Sequence, residues 1–166
     1  GLFDPGRVAV IGATDEENSV GRALVENLSS FRGDVIPVNP NRETVLGRTC
    51  YPEIGDVPDV ESVGLAVVTV PAAVAVDVVR QVGEAGVANV VVISSGFGES
   101  GAEGERRERE LVDTAERYDL NLVGPNCVGV ISTPTGLNAT FSRETPPEGS
   151  ISFMSQSGAL ILAVLG

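Results

Sequence analysis

The chain of 166 residues has no His, no Lys and no Trp, and only 4% of its residues are aromatic. Without His it lacks the commonest general base, proton shuttle and metal ligand that titrate near neutral pH. Any step that needs an imidazole must draw it from elsewhere. All 11 basic residues are Arg, against 23 acidic ones, for a net charge of −12. No dense cationic surface is present to displace counterions from a phosphate backbone, which argues against a nucleic-acid partner. Cys50 and Cys127 are too few and too far apart for a disulfide framework or a zinc site, so no metal site is expected. A reducing cytoplasm is the default compartment for such a chain. The longest apolar stretch, Gly64 to Val76, is interrupted by Thr69 and Pro71. It falls well short of the ~20 residues of a membrane span. No basic segment precedes an apolar run, so no signal peptide is legible.

What is present suffices for a core. Apolar residues make up 42% of the chain, with 20 Gly and 10 Pro. A chain of this size can bury about 70% of its unfolded surface in one domain, or in one domain plus a fragment of another. The acidic, lysine-free composition predicts an origin in a high-salt cytoplasm, where a carboxylate-rich surface stays soluble as salt screens charge. The melting temperature is therefore expected to rise in molar KCl; one that fails to rise would count against a saline origin.

Short β-branched runs alternate with helical patterns. Strands are expected at Val8–Ile11, Asp34–Val38, Gly64–Val68, Asn89–Ile93 and Asn121–Val123, with edge strands at Gly129–Ile131 and Asn138–Phe141. Val20, Ala23, Leu24 and Leu28 recur with the helical period. Val74, Val78 and Val82 do the same before a stop near Gly86. A third helix over Glu103–Tyr118 has Leu111, Ala115 and Tyr118 as its buried stripe. Its charge run from Glu105 to Glu110 reads as a solvated face. Continuously apolar strands are buried on both faces, and their alternation with helices implies a parallel sheet. The fold class is α/β: a doubly wound, mostly parallel, Rossmann-like sheet over residues 1–145. Residues 146–166 read as a linker at Pro146–Gly149 followed by the first strand and helix start of a second domain. The apolar run Ala159–Leu165, with no helix stop before it, predicts that the chain continues.

In such sheets ligands bind beyond the carboxyl ends of the strands. That places the loops Gly12–Gly21, Asn39–Arg42, Thr69–Ala73, Ser94–Gly98 and Gly124–Gly129 around one crevice. The first loop departs from the dinucleotide fingerprint, because only its first glycine is in place and it is too long. Gly12 serves either as a plain turn or, with Thr14 and the helix start, as a phosphate cradle. NAD-binding domains place a carboxylate at the end of the second strand to hold a free ribose hydroxyl. Here Asn39 stands there, followed by Pro40, Asn41 and Arg42. A carboxylate would repel a phosphorylated ribose, and Arg42 would attract one, unless Arg42 is only a solvated surface charge. NADP and coenzyme A both meet this condition.

Seven blocks then point to a family. They are Asp4-Pro5, Val8 to Thr14, Val38-Asn39-Pro40, Val70-Pro71-Ala72, Ile93 to Phe97, Gly124-Pro125-Asn126-Cys127-Val128-Gly129-Val130 and Ser155-Gln156-Ser157-Gly158-Ala159. Their order resembles that in NDP-forming acyl-CoA synthetases. The chain looks like the N-terminal CoA-binding domain of ADP-forming acetate–CoA ligases, and is similar to the alpha subunit of succinyl-CoA synthetase. The resemblance implies that Gly12, Ala13, Thr14 and Asp15 hold the CoA nucleotide, with Glu16–Ser19 as an insertion relative to the succinyl enzyme. Asn39 and Arg42 stand at the nucleotide, with Arg42 in place of a Lys. Val70, Pro71 and Ala72 line the site, as do Ile93, Ser94 and Ser95, although the succinyl enzyme has an acid in place of Ser95. Asn126 and Cys127 lie near the thiol end.

Cys127 invites a nucleophile reading, but no His is present to lower its pKa, and packing is the expected role for it and for Cys50. Ser155, Gln156, Ser157 and Gly158 form either an ordinary helix cap or an anion site. The resemblance implies the second use, at the phosphate of a phosphohistidine lying beyond Gly166, in a flavodoxin-like domain. It further implies the reaction carboxylate + CoA + ATP to acyl-CoA + ADP + phosphate. ATP, ADP and Mg would be held by an ATP-grasp domain or subunit, in an oligomer. These residues would bind CoA without turning over alone. Two alternatives are a CoA-sensing domain of a protein acetyltransferase and an NADP-binding Rossmann domain.

Overall fold

Valine-rich runs build the sheet. The computed structural model describes residues 1–166. Its strands β1 (Arg7–Ile11), β2 (Asp34–Val38), β5 (Leu65–Val68), β6 (Asn89–Val92) and β7 (Asn121–Val123) form one sheet in the order β2-β1-β5-β6-β7. Every pair is parallel; Val8 registers with Val35 on one side and Leu65 on the other. Between β2 and β5 lies a small antiparallel hairpin of β3 (Thr44–Val45) and β4 (Arg48–Thr49).

Alternate residues of the same strands enter two separate core layers, as the period of two requires. Val8, Val10, Leu65 and Val67 pack under α1 (Val20–Asn27) with Leu24, Val25 and Leu28. Ala9, Ile11, Ala66 and Val68 face α2 (Ala72–Glu84) and α3 (Ala102–Arg117). The main strands, the three helices and the buried Leu111 and Ala115 stand as read from the sequence.

Five expectations change. The buried face of α1 is Gly21, Leu24 and Val25, with Val20 exposed. That of α2 is Ala75, Val79 and Val82, while Val74 is exposed and Val78 half-buried. Valines occur on both sides of α2, so the period alone does not select the face. β8 (Gly129–Ser132) and β9 (Leu137–Thr140) are not edge strands of the main sheet. They pair antiparallel with each other and close over α1, through Val130, Leu137 and Ala139. Tyr118 is half-buried rather than part of the stripe, with its ring against Gly83.

Residues Ile151–Met154 form no strand, because no neighbouring strand offers a ladder to pair with. Ile151 and Met154 are 91% and 93% exposed. The helix expected after them is present as α4 (Gly158–Leu165), with none of its apolar side chains buried.

Candidate functional site

The strand order reverses between β1 and β5, and the loops beyond these strands meet there. Two glycines allow the approach. Gly12 has φ +94°, and a Cβ on it would collide with Thr69 Oγ1 and come within 3.2 Å of the Val70 amide. Gly21, in the first turn of α1, lies so close to strand β1's end that a Cβ would strike the Gly12 carbonyl oxygen. Gly21 thus supplies the close helix–strand packing of a dinucleotide loop's last glycine. The sequence reading missed it because the loop is longer than the fingerprint; a glycine two residues after the capping Ser19 was the available signal.

Hydrogen bonds tie the first two loops together. Asn39 Nδ2 donates to the Ala13 carbonyl at 2.8 Å, and Asn39 Oδ1 accepts from the Asn41 amide at 2.9 Å. Thr14 Oγ1 accepts from the Glu16 amide at 3.2 Å. Arg42 meets Asp15 Oδ1 at 2.7 Å through Nη1 and Glu16 Oε1 at 2.9 Å through Nη2. Arg42 is therefore neither a solvated surface charge nor a free cation; it bridges both loops.

The expected single crevice is two clefts that share a wall at Thr69. The first, about 540 Å³, is lined by Gly12, Thr14, Asn39, Arg42, Val70 and Pro71 from the expected set. Glu53, Ile54, Val74, Val78 and Gln81 line it as well and were not anticipated. Of these two α2 valines, Val74 is exposed and Val78 is half-buried at the margin of the core. Arg42 is its only basic residue, and Glu16 and Glu53 are its acidic ones. The second cleft, about 350 Å³, gathers Ile93, Ser94, Ser95, Asn126, Cys127 and Gly158, with Val20, Phe141 and Leu162 added.

Several expected residues occupy other positions. The Ala13 side chain is fully buried, and its carbonyl serves Asn39. Asp15 and Ala72 line neither cleft. Neither do Ser155, Gln156 and Ser157: Ser157 Oγ caps α4 by accepting from the Leu160 amide at 3.3 Å, and Ser155 Oγ accepts from the Ser157 amide at 3.0 Å. The geometry present is that of a capped helix.

The loop between β6 and α3 is held by charges that the sequence reading assigned to solvent. Glu108 Oε2 accepts from the Gly98 amide at 2.7 Å, and Arg107 Nη1 donates to the Gly96 carbonyl at 2.7 Å. The Glu99 carboxylate accepts from the Gly96 and Phe97 amides. The Gly96 bond chiefly, with help from Phe97, holds Glu99 below the usual carboxylate range. Ser94 Oγ donates to the Val70 carbonyl and the Asn126 amide to the Ser94 carbonyl, joining the third, fourth and fifth loops.

Cys127 Sγ donates to the Val92 carbonyl at 3.3 Å, and burial pushes its thiol up to about 11. At neutral pH it is a protonated thiol, not a nucleophile. Burial likewise raises the Cys50 thiol, which donates to the Asn39 carbonyl at 3.7 Å. No group of three or more His, Cys, Asp or Glu side chains is placed to hold a metal ion. No helix is long and apolar enough to cross a membrane.

Residues 6–133 match the family described as the CoA binding domain. The chain is 51% identical over 164 residues to an ADP-forming acetate–CoA ligase I of Archaeoglobus fulgidus, covering 99% of this chain and 24% of that protein. It is 42% identical over 160 residues to the alpha subunit of an ADP-forming acetate–CoA ligase II of Pyrococcus furiosus, covering 96% of this chain and 34% of that one. The structure superposes with a TM-score of 0.92 on a dinucleotide forming acetyl-coenzyme A synthetase 1 of Candidatus Korarchaeum cryptofilum, solved with phosphate and ADP. That pair is 42% identical over 99% of this chain and 35% of the other. The chain thus spans about a quarter to a third of the length of these proteins. With its parallel sheet, its glycine-closed first loop and this match, the chain belongs to the CoA-binding domain family and corresponds to the CoA-binding portion of ADP-forming acetate–CoA ligases.

Proposed function

We propose that this chain holds coenzyme A for an ADP-forming acyl-CoA synthetase that converts carboxylate, CoA and ATP to acyl-CoA, ADP and phosphate. The observation that carries the reading is the first cleft, where Asn39 stands at the end of β2 in place of an NAD site's carboxylate and Arg42, three residues on, is the only cation. Gly12, Thr14, Asn39 and Arg42 receive the phosphorylated ribose, with Asp15 and Ala13 as supports. Val70 and Pro71, together with Val74 and Val78, supply an apolar wall for the base, with Ala72 behind them. The pantetheine arm crosses Thr69 into the second cleft, toward Ile93, Ser94, Ser95, Asn126 and Cys127. There the CoA thiol attacks the carbonyl carbon of an acyl phosphate, and the C–O bond to phosphate breaks. Cys127, protonated and bonded to Val92, leaves that thiol as the nucleophile. The contribution of these residues is positioning.

The remaining chemistry belongs to other parts. The chain holds no His, so a phosphohistidine must be supplied from outside it. ATP, ADP and Mg fall to an ATP-grasp domain or a separate subunit, and the assembly is oligomeric. Relatives named as an alpha subunit support a division between chains. We assign residues 1–145 to the CoA-binding unit and 146–166 to a linker and the start of a second unit. The exposure of Ile151, Phe153, Met154, Leu160 and Val164 supports that division. There Ser155, Gln156, Ser157 and Gly158 would face the transferred phosphate. A saline cytoplasm fits the charge of −12 and the absence of Lys.

Titration calorimetry of the chain against CoA, NADPH and NADH tests the reading. Saturable heat is expected with CoA and none with NADH. Heat with either nicotinamide nucleotide and none with CoA would replace this function with that of a dehydrogenase domain.

A further inference from the structure

Both outer nitrogens of Arg42 carry a carboxylate, Nη1 that of Asp15 and Nη2 that of Glu16. This is the one cation of a cleft proposed to take a phosphate, so a phosphate must compete with these two carboxylates for it. The two carboxylates differ in their freedom to leave. The Asp15 side chain is the shorter and the less exposed, at 41%, and its carbonyl is held by Arg22 Nη1 at 2.8 Å, so its carboxylate has little reach away from Arg42. The Glu16 side chain is 71% exposed, and its backbone is fixed independently of it. Its amide is held by Thr14 Oγ1, and its carbonyl accepts from Ser19 Oγ at 2.8 Å. Rotation of the Glu16 side chain alone frees Nη2.

We propose that Glu16 is a displaceable latch on Arg42, and so a specificity-determining residue for the ribose phosphate. The inference rests on the CoA-binding reading above. With the latch closed, Arg42 is neutralised and offers little to inorganic phosphate or other small anions. A ligand that also fills the apolar wall of the first cleft gains enough elsewhere to displace the carboxylate. A ligand without the ribose phosphate leaves the latch closed and does not sense it.

The test compares Glu16→Gln with Glu17→Gln, using CoA and 3′-dephospho-CoA at low ionic strength, where surface charge is least screened. Glu17 is the same charge one residue on and forms no ion pair with Arg42. Glu16→Gln is expected to tighten CoA about threefold, the scale of one exposed ion pair, and to leave dephospho-CoA within experimental error. Inorganic phosphate is expected to compete with CoA more strongly in that variant. Glu17→Gln is expected to change CoA binding less than Glu16→Gln. Equal tightening by both variants, equal tightening of both ligands, or no change in Glu16→Gln would overturn the latch while the CoA-binding reading stands. If the unaltered chain takes up neither CoA nor dephospho-CoA, the reading beneath the latch falls, and the latch with it.

Discussion

Phe97→Ala is expected to destabilise the fold by about 3–5 kcal/mol, the range for emptying a large aromatic site in a core. The ring is fully buried, among the largest side chains at that depth. It belongs to the layer of Ala75, Val79, Val82 and Leu111, between the sheet and helices α2 and α3. No polar group depends on it: its amide donates to the Glu99 carboxylate and its carbonyl accepts from the Ser100 amide at 2.8 Å, and alanine, with the same backbone, retains both. The loss is therefore one of packing, and it can be relieved only if α3 settles toward the sheet. Settling is resisted because Gly104 of α3 already touches the Phe97 backbone. At roughly 2–4 °C per kcal/mol for a chain of this length, the melting temperature should drop by about 6–20 °C. Scanning calorimetry together with urea denaturation at constant m-value would measure it. A loss below about 1.5 kcal/mol would mean that the site collapses freely, and that the β6–α3 loop owes its position to Glu99, Arg107 and Glu108 instead.

That loop also marks how far sequence reasoning reached. The five parallel strands were legible because residues such as Leu65 to Val68 are apolar at every position, which only a strand buried on both faces needs. Arg107 and Glu108 read as part of a solvated run because local spacing says nothing about a loop ten residues earlier that lacks partners for its amides. The hairpin of β8 and β9 shows the same limit. The strands could be located, but their partner is chosen by which surface needs covering, here that of α1. In the candidate site, residue types were legible and their engagements were not. Arg42 was recognised as the cation, whereas its pairing with Asp15 and Glu16 spans more than twenty positions and depends on how a long first loop folds back. Asn39 was read as a ribose discriminator by the carboxylate it lacks. Its amide in fact braces Ala13, so it shapes the pocket as much as it lines it.

Gly21→Ala carries the second large effect, and its sign is a contest. Gly21 is helical, and alanine in a helix is favoured over glycine by about 0.5–1 kcal/mol. Against this, the added carbon would run into the Gly12 carbonyl oxygen, with Gly12 C at 3.2 Å and Thr14 Cγ2 at 3.3 Å. The obstructing atom is backbone and cannot rotate away, so either α1 leaves the end of β1 or the Gly12–Thr14 turn opens. Overpacking of this kind costs about 1–3 kcal/mol, and steric repulsion therefore wins. Either response disturbs the Gly12–Thr14 turn, which packs on α1 and lines the first cleft, so CoA affinity is expected to fall at least tenfold even well below the melting temperature. Gly55→Ala is the control, since nothing lies within 4 Å of a Cβ there. It should change stability by less than about 0.5 kcal/mol and leave CoA binding unaltered. Melting curves and CoA titrations on the two variants separate the cases. If Gly21→Ala matched the parent in both, the close approach of α1 to Gly12 would not be what shapes this site.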